Sequence, residues 1–598
     1  MKHINKFLLG VALVSSGAFM SCVKDLDQMP KDPGVTQTPD FATDPKEYLG
    51  GVMAKCYLGL AVSGQYGPNG DADIKGLDGG TSQYTRGLFM LNEFTTDECL
   101  WVYQDAGVFD LVQDNWGSDN VVVYGIYSRF YTHIAVCNDF IRLARNPEAQ
   151  GIPVDDALRA ELNQFMLEAR ALRDLSYYNI IDLWGRGVIA WDDMGYGEVP
   201  QQAESRKALY DKVVADLEEV YSEWPDNLNK GNVVYGRIGK DAVAALLCRF
   251  YLNAETWGCG DQYQKCWNMA QNIIANHQGG GFKNSGLAND YLSVFCGSNK
   301  MFMPGGSLSD QNEILWGIPY ADTYTEPYGG TTFLLLGPLR NSFPKDYMDE
   351  EREDGPFDAS KEEGFCDPSW YGSGDAWGCM HARQQFVEKF NFANGYSNDG
   401  RTLIWLTENA GFTANNEVYA SYSDGYIPIK FTNVTCEADG TMPKWTDPAS
   451  GLPRIGVKVS ADYPYVDQTS YWPNTDLPLI RLADVYMMAA ECALRGAGDK
   501  SKGREYVNLI RSRAGVSEWG EADYSLSNLL DERAREFYWE MTRRTDLVRF
   551  GQFTSGYNWN WKNNIYSGSN IAEYRNLFPL PANVIAVYGS SMVQNPGY

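Results

Sequence analysis

Seventy-seven acidic side chains supply carboxylate pairs in abundance. A glycoside hydrolase sets two of them about a glycosidic bond, one with a raised pKa, and Asp97, Glu98 and Glu313 are candidates for such a pair. With so many acids a pair can always be drawn, so their availability decides nothing. Other chemistries are thinly supplied. The only histidines are His3, His133, His277 and His381, and there is no Gly-x-Ser-x-Gly elbow for a serine nucleophile. Gly231 and Gly236 have the spacing of a phosphate-binding loop, but Arg237 and Ile238 follow where Lys and Ser/Thr are required. Asp71 and Asp73 open the register of a calcium loop. Lys75 then takes its fifth position and Ser82 its twelfth, where Glu is needed. No cofactor is expected, with Ca²⁺ in the Asp71, Asp73 and Asp78 loop the one ion left open. The twelve cysteines include no Cys-x-x-Cys pair; Cys248, Cys259 and Cys266 are the nearest grouping and lack partner histidines. Buried free thiols, with one or two disulfides at most, are the expectation. Arg481, Arg543, Arg544 and Asp546 form a charged set that reads as helix caps and internal ion pairs.

Around these residues the composition is that of a globular chain: 44% hydrophobic and 21% charged. The net charge of −27 repels phosphate backbones and anionic headgroups, which argues against nucleic acid and against a polybasic membrane patch. Aromatic residues reach 14%, with 17 Trp and 38 Tyr, more amphipathic rings than a core requires. The N-terminus fixes the compartment. Lys2 and Lys6 precede the uncharged, mostly apolar run Phe7 to Met20, too short to span a bilayer and suited to a signal-peptide core. Phe19-Met20-Ser21-Cys22 resembles a loose bacterial lipobox, so lipidation of Cys22 is expected, followed by an acidic, proline-containing tether to about residue 45. Loss of Lys2 and Lys6 with residues 1–21 takes the charge to −29. The lipid would be the only membrane attachment.

Two helical regions flank a loop-rich middle. Leu158, Leu162, Phe165, Met166, Ala169 and Leu172 recur in steps of three and four, and Val121 to Arg145 and Asp241 to Ala254 read likewise. Near the C-terminus Leu479, Leu482, Ala483, Tyr486, Met487, Ala490 and Leu494 mark a helix that Asp476 could cap, with Pro478 in its first turn. Leu530, Ala534, Phe537, Tyr538 and Met541 mark another. Helix pairs in series suggest stacked αα-hairpins of tetratricopeptide type. Residues 280–470 are dense in Gly, Pro, Ser, Asn and Asp and read as long loops with short strands, where binding tends to sit on a helical scaffold.

Several blocks then resemble a known family, the SusD-like (SusD/RagB) nutrient-uptake lipoproteins of Bacteroidetes. They are Glu93 to Trp101, Glu168 to Arg173 with Asp182-Leu183-Trp184-Gly185, Gly236-Arg237-Ile238, Arg249 to Ala254, Asp476 to Tyr486, Glu532 to Phe550, Leu577 to Pro581 and the ending Gln594 to Tyr598. The resemblance implies a mostly α-helical, tetratricopeptide-like scaffold with loop-rich insertions, residues 46–598 forming one domain. It implies an outer-membrane, surface-exposed lipoprotein that binds oligo- or polysaccharide. It also implies a partner, a SusC-like TonB-dependent transporter on which the protein sits as a lid.

The resemblance also carries site residues. In starch-binding members the glycan meets two aromatics after Asp-Glu-Cys-Leu, an upstream Arg and the Tyr of a Tyr-Gly-Gly segment. Trp101, Tyr103, Arg86 and Tyr328 hold those positions here, and Trp377 and Asp78 join them as expected glycan contacts. Trp370 and Tyr371 lie in the same Gly/Ser/Asp loop as Trp377. The expectation is one exposed platform of Trp101, Tyr103 and Tyr328, with Arg86 donating to hydroxyls at its edge. Two departures matter: the second aromatic is Tyr103 rather than Trp, and Ala106 replaces a hydroxyl-binding Asn. An α-glucan such as starch or dextran is the favoured ligand, and binding rather than catalysis the favoured role. A peptide-binding relative and a surface glycoside hydrolase are the alternatives.

Overall fold

The computed structural model describes residues 44–64, 67, 70–195, 197–228, 232–339, 368–391, 399–401, 403–406, 426–446, 453–455 and 471–598. Cys22 and the expected signal peptide and tether up to residue 43 lie outside them. The described chain is mostly α-helical. The long helices begin on side-chain caps. Asp44 accepts from the Glu47 N–H at α1 (Pro45–Ala61), with Pro45 in the first turn. After α2 (Tyr84–Asn92), Asn120 accepts from Val122 and Val123 at α3 (Val121–Arg145). Asp155 accepts from Leu158 at α4 (Asp156–Trp184), and Ser205 from Ala208 at α5 (Arg206–Glu223). Each cap satisfies an orphan N–H and is worth about 1 kcal/mol. α4 outruns its predicted apolar stripe because every residue from Leu175 to Trp184 is buried, so its second half shows no polar face to sequence reading.

These helices pack in series. α3 lies on α4, α4 on α5, α5 on α6 (Lys240–Asn253), and α6 on α7 (Tyr263–His277). The chain then leaves for the loop-rich insertion, which contributes the short helix α8 (Gly330–Leu336). It returns as α9 (Leu482–Leu494), which packs on α7 and on α10 (Lys500–Arg513). The stack of hairpins expected from the sequence is thus continuous across the insertion.

Two boundaries differ from expectation. Leu477–Arg481 is a strand, not a first helical turn. It pairs antiparallel with Ile314–Ile318, Leu477 opposite Ile318 and Pro478 opposite Gly317. Asp476 caps nothing there; its carboxylate accepts from the Tyr320 N–H at 2.9 Å and from the Tyr235 hydroxyl at 2.7 Å. The helix read through Met541 ends earlier, as α11 (Leu526–Phe537). Trp539 and Met541 then take φ of 60° and 62°, an unusual region for such side chains. That turn delivers the backbone to α12 (Arg543–Arg549).

A buried ion network fastens the insertion to this scaffold. Arg481 donates to Glu313 at 2.6 Å and to both oxygens of Glu540 at 2.6 and 2.7 Å, and lies 3.2 Å from Glu536. Arg513 reaches Glu313 and Glu536 from α10, Arg401 bridges Asp399 and Glu532, and Lys430 binds Glu540 at 2.7 Å. The charged set is therefore internal: Arg481, Arg543 and Asp546 form the ion pairs the sequence suggested, while buried Arg544 donates to the Arg575 and Asn576 carbonyls, both at 3.0 Å. Arg543 forks onto Asp97, and Asp546 pairs with Arg533 and Arg549. The ten described cysteines are all free and buried.

Candidate functional site

The insertion folds over α2 and builds one aromatic cluster there. Leu100 and Trp101 form a short strand opposite His381 and Met380. Tyr103 follows it, and α8 brings Tyr328 and Phe333 from the other side. The glycines of Tyr328-Gly329-Gly330 are dictated by packing. A Cβ on Gly329 would lie 2.2 Å from Gln83 Oε1, and one on Gly330 (φ 56°) would lie 1.9 Å from the Tyr320 hydroxyl. Only glycine lets α8 start this close to α2.

Arg86, on α2, sits at the centre of the cluster rather than at its edge. Its guanidinium lies 4.6 Å from the Phe333 ring centre, 5.6 Å from Trp101 and 5.7 Å from Trp377. Nη1 donates to the Tyr328 carbonyl at 2.8 Å, while Nε has no hydrogen-bond partner. Burial among the rings lowers its pKa, and the nearby Asp78 charge opposes that shift. Burial raises Asp78 in turn, but hydrogen bonds from Thr81 and the Arg86 charge outweigh it and hold the carboxyl below its ordinary range. Asp78 also accepts from the Thr81 N–H at 2.8 Å, so its first task is to shape the loop ahead of α2.

The expected platform is corrected at Trp101. Its ring is only 5% exposed, nearly parallel to Phe333 at 5.7 Å and 24°, with Phe94 at 5.8 Å, and its indole N–H donates to Asp105 at 2.6 Å. Pairing with Met380 and the covering insertion put it inside. Tyr371 is likewise buried, and the Trp370 side chain lies outside the described residues. Tyr103 and Tyr328 remain open, at 43% and 41% exposure. Tyr103 stands edge-on to Trp101 and donates to the Trp377 carbonyl at 2.9 Å. Half-buried Trp377 donates from its indole to the Tyr471 hydroxyl at 3.1 Å. Tyr471 and Trp472 escaped the sequence reading. Both meet Tyr328, with ring centres at 6.4 and 5.3 Å, and complete a rim of Tyr103, Trp377, Tyr471, Trp472 and Tyr328 around Arg86. The signal was a Tyr-Trp-Pro-Asn run in a loop just before a strand. The rim offers ring faces beside a planar donor, with the Asp105 carboxylate at its margin.

The carboxylates suggested for hydrolysis are elsewhere. Asp97, Glu98 and Glu313 are all buried. Burial raises Asp97, but the Arg543 and Lys389 charges prevail and hold it well below the carboxylate range. Glu93 and Glu98 face each other. Burial pushes Glu93 up to about 7, against a hydrogen bond from Glu98, and burial together with the Glu93 charge raises Glu98 well above its ordinary value. Their oxygens accept the Thr542 and Trp539 N–H groups at 2.9 and 3.1 Å, so the pair props the strained turn before α12. The calcium loop does not converge either. Asp73 binds Arg129 at 2.6 Å, and no group of three or more His, Cys, Asp or Glu among the described residues is arranged to hold a metal.

The Glu93–Glu98 pair predicts a pH dependence. An unfolded glutamate titrates near ~4.3 and folded Glu93 at about 7. The folded state thus holds the extra proton between them, and stability present at low pH is lost as pH rises towards 7. Asp476, raised to about 6 by burial, adds to the slope, while His133, lowered to about 4 by burial, opposes it. Glu93→Gln removes one such proton. Its unfolding free energy, followed by urea titration from about pH 5 to 7, should differ from the parent's by a slope of ~1.4 kcal/mol per pH unit. Parallel curves for the two proteins would contradict the shared proton.

With the geometry in place, comparison with known proteins gives the class. Residues 343–598 match the SusD family model. Over 98% of its length the chain is 28% identical to the starch-binding protein SusD of Bacteroides thetaiotaomicron, covering 97% of that protein. A SusD superfamily protein from Parabacteroides distasonis superposes with a TM-score of 0.59 at 18% identity, covering 93% of this chain and 99% of that one. Surface glycan-binding protein A from Bacteroides thetaiotaomicron, solved in complex with laminarihexaose, gives 0.57 at 20% identity, covering 92% and 99%. The C-terminal part of the chain thus resembles the SusD family, and nearly its whole length resembles the starch-binding relative. No helix among the described residues is long and apolar enough to cross a membrane.

Proposed function

We propose that this protein binds a neutral oligo- or polysaccharide on the rim around Arg86, at the cell surface, anchored through a lipid on Cys22. The observation that carries this reading is the pair of open rings Tyr103 and Tyr328, flanked by half-buried Tyr471 and Trp472, beside a guanidinium with an unpartnered Nε. A pyranose has an apolar C–H face and a rim of hydroxyls. Each stacked ring contributes about 1 kcal/mol, and many copies on one cell add avidity. The likeness to the starch-binding relative favours an α-glucan, starch or dextran, and favours delivery to a SusC-like TonB-dependent transporter that this chain covers as a lid. With a mature charge of −29, that contact would depend on specific packing rather than general attraction. The buried positions of Asp97, Glu98 and Glu313 support a binding role over hydrolysis.

Affinity gels and calorimetry against a panel of soluble α- and β-glucans test this. Tyr328→Ala should lose roughly ten- to hundred-fold in affinity, the scale of an aromatic hot spot. Its melting temperature should stay close to the parent's, because the ring is open. A variant that binds every glycan as the parent does would contradict the rim. Tighter binding of laminarihexaose than of maltoheptaose would contradict the α-glucan preference.

A further inference from the structure

A second cleft adjoins the rim, and nothing yet assigned to this chain uses it. It has a volume of about 330 Å³ and lies between the C-terminal half of α1, the middle of α3 and the loop after Tyr320. Such a volume is at the lower end of small-molecule sites. Its most prominent side chain is Tyr324, 81% exposed and the most open of the large described aromatics. A turn holds it out: the Tyr324 and Thr325 N–H groups both donate to the Ala321 carbonyl, at 3.0 and 2.9 Å. The same turn is tied to the segment carrying Tyr471 and Trp472, since Asp322 N–H donates to Asn474 at 3.1 Å.

The floor mixes apolar and polar groups in the proportions a sugar ring meets well. Leu58 is 48% exposed and offers an aliphatic face. Thr132 donates its hydroxyl proton to the Ser128 carbonyl at 2.9 Å, which leaves its oxygen lone pairs for a donor. Asp73 accepts from Arg129 at 2.6 and 3.3 Å and keeps further lone pairs on a partly exposed carboxylate. Arg129 itself is fixed by the Ser63 and Ser82 carbonyls, both at 2.6 Å, so this wall is built rather than loose. Lys55 adds an ammonium at the mouth. The Asp73–Arg129 pair is neutral as a pair, and the lone pairs left on Asp73 suit sugar hydroxyls.

Rim and cleft are neighbours. Gln83 links the elements that carry them: its amide donates to the Leu60 and Ala61 carbonyls at the end of α1, and its oxygen accepts from Arg86 N–H at 2.7 Å. Tyr324 and Tyr328 are four residues apart on one loop, so their backbones stand at most ~14 Å from each other. One oligosaccharide can reach across that distance.

We propose that this cleft is a second pyranose subsite, in which Tyr324 stacks on a sugar ring and Thr132, Asp73 and Lys55 meet its hydroxyls. The protein would therefore select for chain length, with long glycans touching both sites and short ones only the rim. The inference rests on the glycan reading above, and the experiment separates the two. Calorimetry would compare short and long members of each linkage: maltose with maltoheptaose, isomaltose with dextran, laminaribiose with laminarihexaose. For the linkage that binds, Tyr324→Ala should weaken the long member about five- to ten-fold, the value of one aromatic stack, and leave the short one unchanged. Tyr328→Ala should weaken both. Thr132→Val, which keeps the shape of the floor, should follow Tyr324→Ala in direction. Tyr324→Ala binding long chains as the parent does, or losing short and long equally, would overturn the second subsite while leaving the rim standing. A parent that binds no member of the panel would overturn both.

Discussion

Arg481→Met destabilises the protein by about 3–5 kcal/mol, because it removes one cation from among three buried carboxylates. Glu313, Glu536 and Glu540 each lose a partner, and Glu313 and Glu536 cannot turn to water. Arg513 still serves Glu313 and Glu536, and Lys430 still serves Glu540, so the network is depleted rather than abolished. The physical cost is carboxylate charge without compensation. Burial works to raise Glu540, and in the parent the Arg481 and Lys430 charges overcome it and hold the group below its ordinary range. Without Arg481 that balance reverses, and a raised carboxylate costs stability as pH rises. The variant should therefore fall further behind the parent at about pH 8 than at about pH 5. Urea unfolding at both pH values reads this, and Glu540→Gln added to Arg481→Met should recover part of the loss. A single variant that unfolds with the parent at both pH values would show that the network contributes no net stability. The network joins β-paired Arg481 and helices α10 and α11 to Arg401 and Lys430 of the insertion. Its loss should loosen the segment that carries the binding rim, and glycan affinity should fall with stability.

Trp101→Ala is the second large effect, and its sign separates two views of that ring. An open stacking ring would lose affinity and keep its melting temperature. The structure makes it a core ring, packed on Phe333 and Phe94 with its indole N–H bound to Asp105. Truncation should cost about 3–5 kcal/mol, the usual range for a buried Trp, and lower the melting temperature by several degrees. Binding should weaken as well, because Tyr103 stands edge-on to the Trp101 ring and the Arg86 guanidinium lies 5.6 Å from its centre. Trp101→Phe should restore most of the stability. Trp101→Ala that melts with the parent while losing its glycan would show that the ring opens to ligand.

The sequence made some of this legible and hid the rest for identifiable reasons. Val121 to Arg145 was readable because its apolar residues recur in steps of three and four. The strand Leu477–Arg481 was not. A short two-stranded ladder buried at all but Leu479 shows no alternation, and its apolar residues merge with the stripe of α9. The turn at Trp539 and Met541 was hidden because its support, Glu93 and Glu98, comes from the far end of the chain. At the site, Arg86, Tyr103, Tyr328 and Trp377 come together, with Arg86 at the centre rather than the edge. Trp101 belongs to the core because Phe333 and Met380 arrive to cover it, a fact of tertiary packing that no local pattern encodes. Tyr471, Trp472 and Tyr324 were missed for the same reason. Loop aromatics show no periodicity, and only the fold brings Tyr471 and Trp472 beside Tyr328.

The central claim is that the rim around Arg86 is where sugar binds. Its most direct test is a crystal structure of the protein with the oligosaccharide that binds it most tightly in the panel. The account predicts a pyranose face against Tyr328 or Trp472, with another ring near Tyr103 and a sugar hydroxyl within hydrogen-bond distance of Arg86. A glycan seated on another face, with Tyr103, Tyr328 and Trp472 left open to solvent, would contradict it.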